Sequence, residues 1–335
     1  MKRLSPIIVS QAEDGQRLDK WLKSHFSSMS KVMIEKLCRK GQLRINSARV
    51  RPNTRVLENQ KIRVPDFVRN NDPQAYSQQT NPPIRLINDL KGAIIFDDEY
   101  FIMFNKPSGL AVQGGSRLGN YHLDSALSEF SLPNQPSLRL VHRLDKDTSG
   151  VIIVARTPKS AFMISELIKE RKVSKIYWAL VHKFPKKNEG ILFNPTNAEG
   201  YLGTTIKEVL KGNRSYKNLQ LQILEVEEKE AISVYKVLSQ LGKEISWVEL
   251  IAITGRKHQL RKHLSSIGCP IIGDKQYGSS LKKPLLEKHL KFLNSKNEKL
   301  QLHARSIEFK HPFTGQTIKV TADPPPHMAQ RLKFF

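Results

Sequence analysis

The densest apolar run in the chain, residues 151–155, is only strand-length, and the other β-like runs are equally short and irregularly spaced. They fall at 93–96, 101–104, 138–141, 176–181 and 247–253, with helical patterns at about 124–130, 158–172 and 257–267. Strands and helices mixed without a strict βαβ repeat predict an α+β domain rather than a doubly wound sheet. No run approaches the roughly 20 apolar residues of a membrane-spanning helix. At 335 residues the chain is long enough for two domains.

The first 65 residues follow a different pattern. They hold 15 basic and five acidic residues, a net of +10 out of +24 for the whole chain. Leu18, Trp21, Leu22 and Phe26 share one helical face, and a second helix is expected from an N-cap at Ser30 to Gly41, turning Ile34, Leu37 and Cys38 inward. Residues 43–46 and 61–64 alternate apolar with polar and predict two short strands, leaving Arg44, Arg49, Arg51, Arg55 and Arg63 to face solvent. Together with Lys36, Arg39 and Lys40 these arginines form a phosphate-contacting surface. A folded chain this basic repels itself, which points to a polyanionic partner, nucleic acid above all. Residues 66–83 are polar, contain prolines and show no apolar period, and read as a linker. The expected organisation is therefore 1–65, a linker at 66–83, and a larger domain at 84–335.

Two cysteines, Cys38 and Cys269, stand far apart in no paired spacing, which excludes a disulfide scaffold and a thiolate zinc site. The apolar stretch after Lys2 and Arg3 covers only 6–9, too short for a signal peptide. A soluble cytoplasmic protein is expected.

Two segments are rich in reactive groups. The first is Val141-His142-Arg143-Leu144-Asp145-Lys146-Asp147-Thr148-Ser149-Gly150, a polar loop between two apolar runs. The second is Thr254-Gly255-Arg256-Lys257-His258-Gln259-Leu260-Arg261-Lys262-His263, a basic helix start after a strand, with Gly268 placed to close the helix. His258 and His263 are five apart, about 500° of helix rotation, and do not share the face a zinc pair needs. The His142-Arg143-Leu144-Asp145 run has one leucine more than a kinase catalytic loop, and no Walker loop, dinucleotide fingerprint or nucleophile elbow accompanies it. What remains is a carboxylate beside arginines, able to act as nucleophile or base toward a glycosidic carbon. Asp145 and Asp147, two apart in a loop, have no separation that decides between roles.

Two resemblances narrow this. Residues 15–22 (Gly-Gln-Arg-Leu-Asp-Lys-Trp-Leu) and 39–46 (Arg-Lys-Gly-Gln-Leu-Arg-Ile-Asn) resemble the small alpha-L RNA-binding domain typified by ribosomal protein S-four, over about 15–65. Residues 90–325 resemble the ribosomal-RNA pseudouridine synthases of the large-subunit type. The two reactive segments carry that likeness, with Lys175-Ile176-Tyr177-Trp178-Ala179-Leu180-Val181, residues 268–278 (Gly-Cys-Pro-Ile-Ile-Gly-Asp-Lys-Gln-Tyr-Gly) and Leu302-His303-Ala304. Residues 105–116, beginning Asn105-Lys106-Pro107, narrow it further within the family.

The resemblance implies a mixed, mainly antiparallel catalytic sheet and a uridine isomerase acting on large-subunit ribosomal RNA, monomeric, with no cofactor, metal or membrane. Asp145 would be the nucleophile, Tyr177 would stack on the uracil and assist removal of the carbon 5 proton, and Arg261 would pair with Asp145 in a desolvated pocket. Arg143 would fill the gap left by a flipped uridine. Arg256 would contact RNA, as would Lys36, Arg39, Lys40 and Arg44. His142 and Asp147 would organise the loop, and His258 and Gln259 would support the Arg261 helix. Residues 185–230 match nothing in that family.

Overall fold

The computed structural model describes residues 5–26, 28–70, 82–114, 120–132, 138–194, 231–278 and 298–335. At the front, the shared apolar face becomes α1 (Leu18–His25), which buries Leu18, Trp21 and Leu22. Helix α2 (Lys31–Arg39) starts at Ser30, whose Oγ accepts the Met33 N–H at 3.2 Å, and buries Ile34, Leu37 and Cys38. Both pack on a four-stranded antiparallel sheet of β1 (Ile7–Ile8), β2 (Arg44–Ile45), β3 (Ala48–Arg49) and β4 (Lys61–Arg63), in the order β1-β4-β2-β3. Trp21, Ile34, Leu43 and Ile62 lie at the centre of this core.

Three expectations for this region change. The stretch read as linker opens with a short helix, α3 (Asp66–Asn70), because Val68 has apolar surface to bury and does so in the front core. Residues 71–81 lie outside the described residues. Arg44 does not simply face solvent: its Nε donates to Gly41 O at 3.0 Å and its Nη1 to Ser47 O at 2.9 Å, holding the turns on either side of β2. Arg55 donates to Gly15 O at 2.7 Å and lies 4.7 Å over the Phe162 ring, so it joins the front core to the second unit. Arg49, Arg51 and Arg63 are exposed.

The second unit begins with α4 (Ile84–Lys91), burying Leu86 and Leu90. Its strands are β5 (Ile94–Asp97), β6 (Phe101–Lys106), β7 (Arg139–Leu140), β8 (Ser149–Ala155), β9 (Ser174–His182), β10 (Glu189–Asn194), β11 (Ala231–Leu241), β12 (Ile245–Ala252), β13 (Leu302–Lys310) and β14 (Thr317–Thr321). They form one sheet along the path β10-β11-β12-β9-β13-β8-β6-β5, with β14 on β13 and β7 on β8. Among the described residues every pairing is antiparallel except β13 with β8.

The short apolar runs are short because the sheet is covered on both faces. In β6, Ile102 and Phe104 enter one core while Phe101 and Met103 enter another, and β8 divides Ile152 and Val154 from Val151, Ile153 and Ala155 in the same way. Helices α5 (Leu123–Ala126) and α6 (Pro158–Lys169) cover these two faces through Leu123 and Ile164. Helix α7 (Gln259–Ser266) covers β9 and β12 through Leu260 and Leu264, and α8 (Pro326–Leu332) closes the opposite face with Met328. β10, β11, β13 and β14 were not among the expected strands; Lys236 and Lys319 interrupt β11 and β14 at positions where the strand still pairs, and Arg305 falls at the irregularity of β13 against β9.

The lone parallel contact pairs His303 with Ser149 and Ala304 with Gly150. Gly150 has φ +111°, and a Cβ there would stand 2.2 Å from Ala304 O, so only glycine lets the reactive loop enter β8 against the central strand. Gly150→Ala is expected to lower the stability by more than about 2 kcal/mol, a large single-residue loss that chemical denaturation would register.

Candidate active site

The loop that carries Asp145 is held from beneath by a lysine. Lys106 ends β6 with its side chain fully enclosed, and its ammonium donates to Pro107 O at 3.0 Å, Leu110 O at 2.8 Å and Lys146 O at 3.0 Å. Gly109 N–H also donates to Lys146 O at 3.0 Å, Ser108 Oγ to Asp147 O at 2.8 Å, and Thr148 N–H to Asp145 O at 3.1 Å. Each peptide carbonyl from 145 to 147 therefore has a fixed partner. Burial draws the Lys106 amine down to about 7, against the opposing pull of Asp147 and Asp145. Upstream, His142 Nε2 accepts the Ile153 N–H at 2.9 Å; burial, with a contribution from Lys175, lowers this imidazole to about 3 and keeps it a neutral acceptor.

Across from the loop stands α7. His258 caps it in a left-handed conformation, φ 55° and ψ 26°, which a residue with a Cβ rarely adopts. That turn puts His258 Nε2 3.6 Å from Asp145 Oδ1 and Nδ1 3.0 Å from the Tyr277 hydroxyl. Burial lowers the His258 pKa although Asp145 pulls it upward. A neutral ring whose Nδ1 accepts from Tyr277 turns Nε2–H toward the carboxylate.

Arg261 lies one turn on, with Nη1 3.7 Å from Asp145 Oδ2. Its strong partner is another acid: Nε and Nη2 grip Asp274 at 2.7 and 2.8 Å. The Asp274 side chain is wholly buried, and its Oδ1 also accepts the N–H groups of Gln276 and Tyr277 at 2.9 and 3.0 Å. Burial alone would raise this carboxyl, but the Arg261 bonds and the two N–H groups hold it below the usual range. The same bonds hold the Arg261 guanidinium above its ordinary value.

Gln259 fixes the turn before α7 with all four of its polar valences. Its Oε1 accepts from Thr254 Oγ1 at 2.7 Å and Arg256 N–H at 3.0 Å, while its Nε2 donates to Ile232 O at 2.9 Å and Ser233 Oγ at 2.8 Å. Between loop and helix is a cleft of about 180 Å³, lined by Asp145, Tyr177, His258 and Arg261, with the exposed Arg143 and Arg256 at its rim. Tyr177 enters it from β9; burial, then the neighbouring Asp145 charge, raises its phenol to about 12.

The fold thus gathers Asp145, Tyr177, Arg261, Arg143, Arg256, His258 and Gln259 at one cleft, while His142 lies off its lining, bonded to the Ile153 N–H, and Asp147 is exposed on the loop. Lys36, Arg39 and Lys40 are exposed on α2, outside this cleft, and Arg44 is committed to its two turns. Sequence reasoning gave no role to Lys106, Asp274 or Tyr277. All three stood inside quoted motifs, but an isolated lysine, aspartate or tyrosine carries no sign of which carbonyl, arginine or imidazole it will meet.

This is a desolvated carboxylate site on a mixed sheet preceded by a small basic unit, and comparison with known proteins gives the class. Residues 100–266 match the family model described as RNA pseudouridylate synthase, and residues 16–62 match the S4 domain. The chain belongs to the RNA pseudouridylate synthase family and is an RNA pseudouridine synthase with an N-terminal S4 domain. It is 32% identical to Ribosomal large subunit pseudouridine synthase C of Rickettsia typhi, over 94% of this chain and 96% of that protein. It is 31% identical to the protein of the same name in Pasteurella multocida, over 97% and 92% respectively. Among solved structures, Human RNA Pseudouridylate Synthase Domain Containing 4 superposes with a TM-score of 0.58 at 27% identity, over 75% of this chain and 95% of that one.

Lys106→Met would take a donor from each of three carbonyls, leaving Lys146 O with Gly109 N–H alone, and is expected to destabilise the protein by more than about 2 kcal/mol. The folded-state pKa of Lys106 lies below its unfolded value of 10.5, so the unfolded chain binds more protons between about pH 7 and 10. Wild-type stability should therefore rise relative to the variant from pH 7 to 9, seen as a Tm difference that widens across that range.

Proposed function

We propose that this chain converts uridines of large-subunit ribosomal RNA to pseudouridine, with Asp145 as nucleophile. It acts as a cytoplasmic monomer without a cofactor, the S4 domain gripping RNA and the unit from residue 84 carrying the chemistry. The observation that carries the reading is the Asp145 carboxylate facing Arg261 at 3.7 Å and His258 at 3.6 Å above Tyr177 in a closed-in cleft. The names of the Rickettsia and Pasteurella relatives support the ribosomal substrate.

The target uridine flips out of its stack, since its reacting atoms are inaccessible inside a helix, and Arg143 at the rim fills the space it leaves. Asp145 forms a bond to the nucleotide, the N1–C1′ bond between uracil and sugar breaks, the uracil turns, and a C5–C1′ bond forms; the bond to Asp145 is released, the carbon 5 proton passes to a base, and N1 ends protonated, so the product is an isomer of the uridine. Tyr177 stacks on the uracil. Its phenol, raised to about 12, keeps its proton while Asp145 is charged. Drawing the Asp145 charge into a covalent bond removes the smaller of the two causes of that elevation and makes the phenol easier to ionise, the form in which it can take the carbon 5 proton.

Asp145→Asn is expected to bind ribosomal RNA as the wild type does and to release no tritium from RNA labelled at carbon 5 of uridine. Retained release would overturn the nucleophile assignment. Replacing Lys36, Arg39 and Lys40 together by Gln should weaken binding and reduce the slope of log K against log salt by about two to three units. An unchanged slope would remove α2 from the RNA contact.

A further inference from the structure

Strand β9 carries a second polar side chain on the face that Tyr177 turns toward the cleft. Lys175 precedes Tyr177 by two residues, so it leaves the sheet on the same face, about 7 Å along the strand. Its backbone is fixed opposite Ile307 of β13. Its Nζ comes within 3.9 Å of the position a Cβ would take on Gly255, an exposed residue of the cleft wall.

Three other enclosed cations of this unit have protein acceptors. Lys106 has three carbonyls, Arg261 has Asp274, and Arg156 has Asp97 with the carbonyls of Asp98 and Phe130. Among the described residues Lys175 has neither a hydrogen bond nor a carboxylate partner. Its charge helps keep His142 neutral, and the Nε2 of that ring is already occupied with the Ile153 N–H. Burial alone draws the Lys175 amine down to about 8. A half-buried ammonium with no acid beside it is a group to which a ligand can supply the missing anion. RNA offers anions only as its phosphates, and Gly255, lacking a side chain, leaves the approach to the amine open.

We propose that Lys175, beside the bare backbone of Gly255, binds one phosphate of the RNA strand, the one adjoining the nucleotide whose base lies on Tyr177. The proposal rests on the reading that the cleft receives a flipped uridine. It makes Lys175 a positioning residue that sets how deeply the nucleotide enters.

The test uses the full-length protein and an unmodified large-subunit ribosomal RNA transcript, with Lys175→Met, Lys175→Arg and Asp145→Asn side by side. Lys175→Met removes a half-buried charge with no acid beside it, so its Tm should not fall while KM increases about tenfold with kcat within about twofold. Its slope of log K against log salt should flatten by about 0.7 to 0.9, the release of one phosphate contact. Lys175→Arg should restore most of KM and the slope. A Met variant with lowered Tm and an unchanged slope, or with kcat lost and KM unchanged, would overturn the phosphate site and leave a packing role. If Asp145→Asn turns over, the reading of the cleft falls. If it is inactive while the Met variant keeps the wild-type slope, only the Lys175 proposal falls.

Discussion

The Asp145 carboxylate must face positive charge without being captured by it, and the buried pair between Arg261 and Asp274 meets that requirement. A guanidinium free to choose would close a two-pronged contact on the loop carboxylate at under 3 Å. Here the prongs are taken by Asp274 at 2.7 and 2.8 Å, and Asp145 is left with one Nη at 3.7 Å. The charge is felt, but both carboxylate oxygens stay open to the cleft. The arrangement depends on burial, since an exposed pair would exchange partners with water and salt.

One turn of chain supports both sides of this balance. Asp274 and Tyr277 belong to the same tight segment, the first gripping Arg261 and the second bonding His258. Gly273, at φ +77° with Lys299 O where a Cβ would stand, lets that segment press against the strand that leads to β13. The opposite wall is fixed from below by Lys106 and at its exit by Gly150 against Ala304. The Asp145 carboxylate and the Arg261 cation are thus carried by elements far apart in the chain, the condition for holding a fixed geometry without a ligand present.

Much of this was legible in the chain. The apolar spacing of Leu18, Trp21 and Leu22, and the Ser30 cap, defined α1 and α2 because local periodicity and capping act over a few residues. The loop and helix motifs brought Asp145, Tyr177 and Arg261 forward because the family resemblance carries residue roles with it. β11, β13 and β14 escaped because charged residues interrupt their alternation, and paired strands tolerate that where the side chain reaches solvent. Arg44 and Arg55 were taken for solvent-facing groups; whether a guanidinium meets water, a carbonyl or a ring depends on chain 3 to more than 100 residues away.

By itself, then, the sequence determined the class of fold, the basic front and the short strands, which follow from composition, local period and motif, while the family resemblance supplied the candidate reacting groups. Only the tertiary structure decided which acid holds Arg261, which carbonyls hold Lys106, and which lysine is left without an anion. Those outcomes turn on distances of a few tenths of an ångström between residues up to about 40 positions apart, for which a linear pattern has no term.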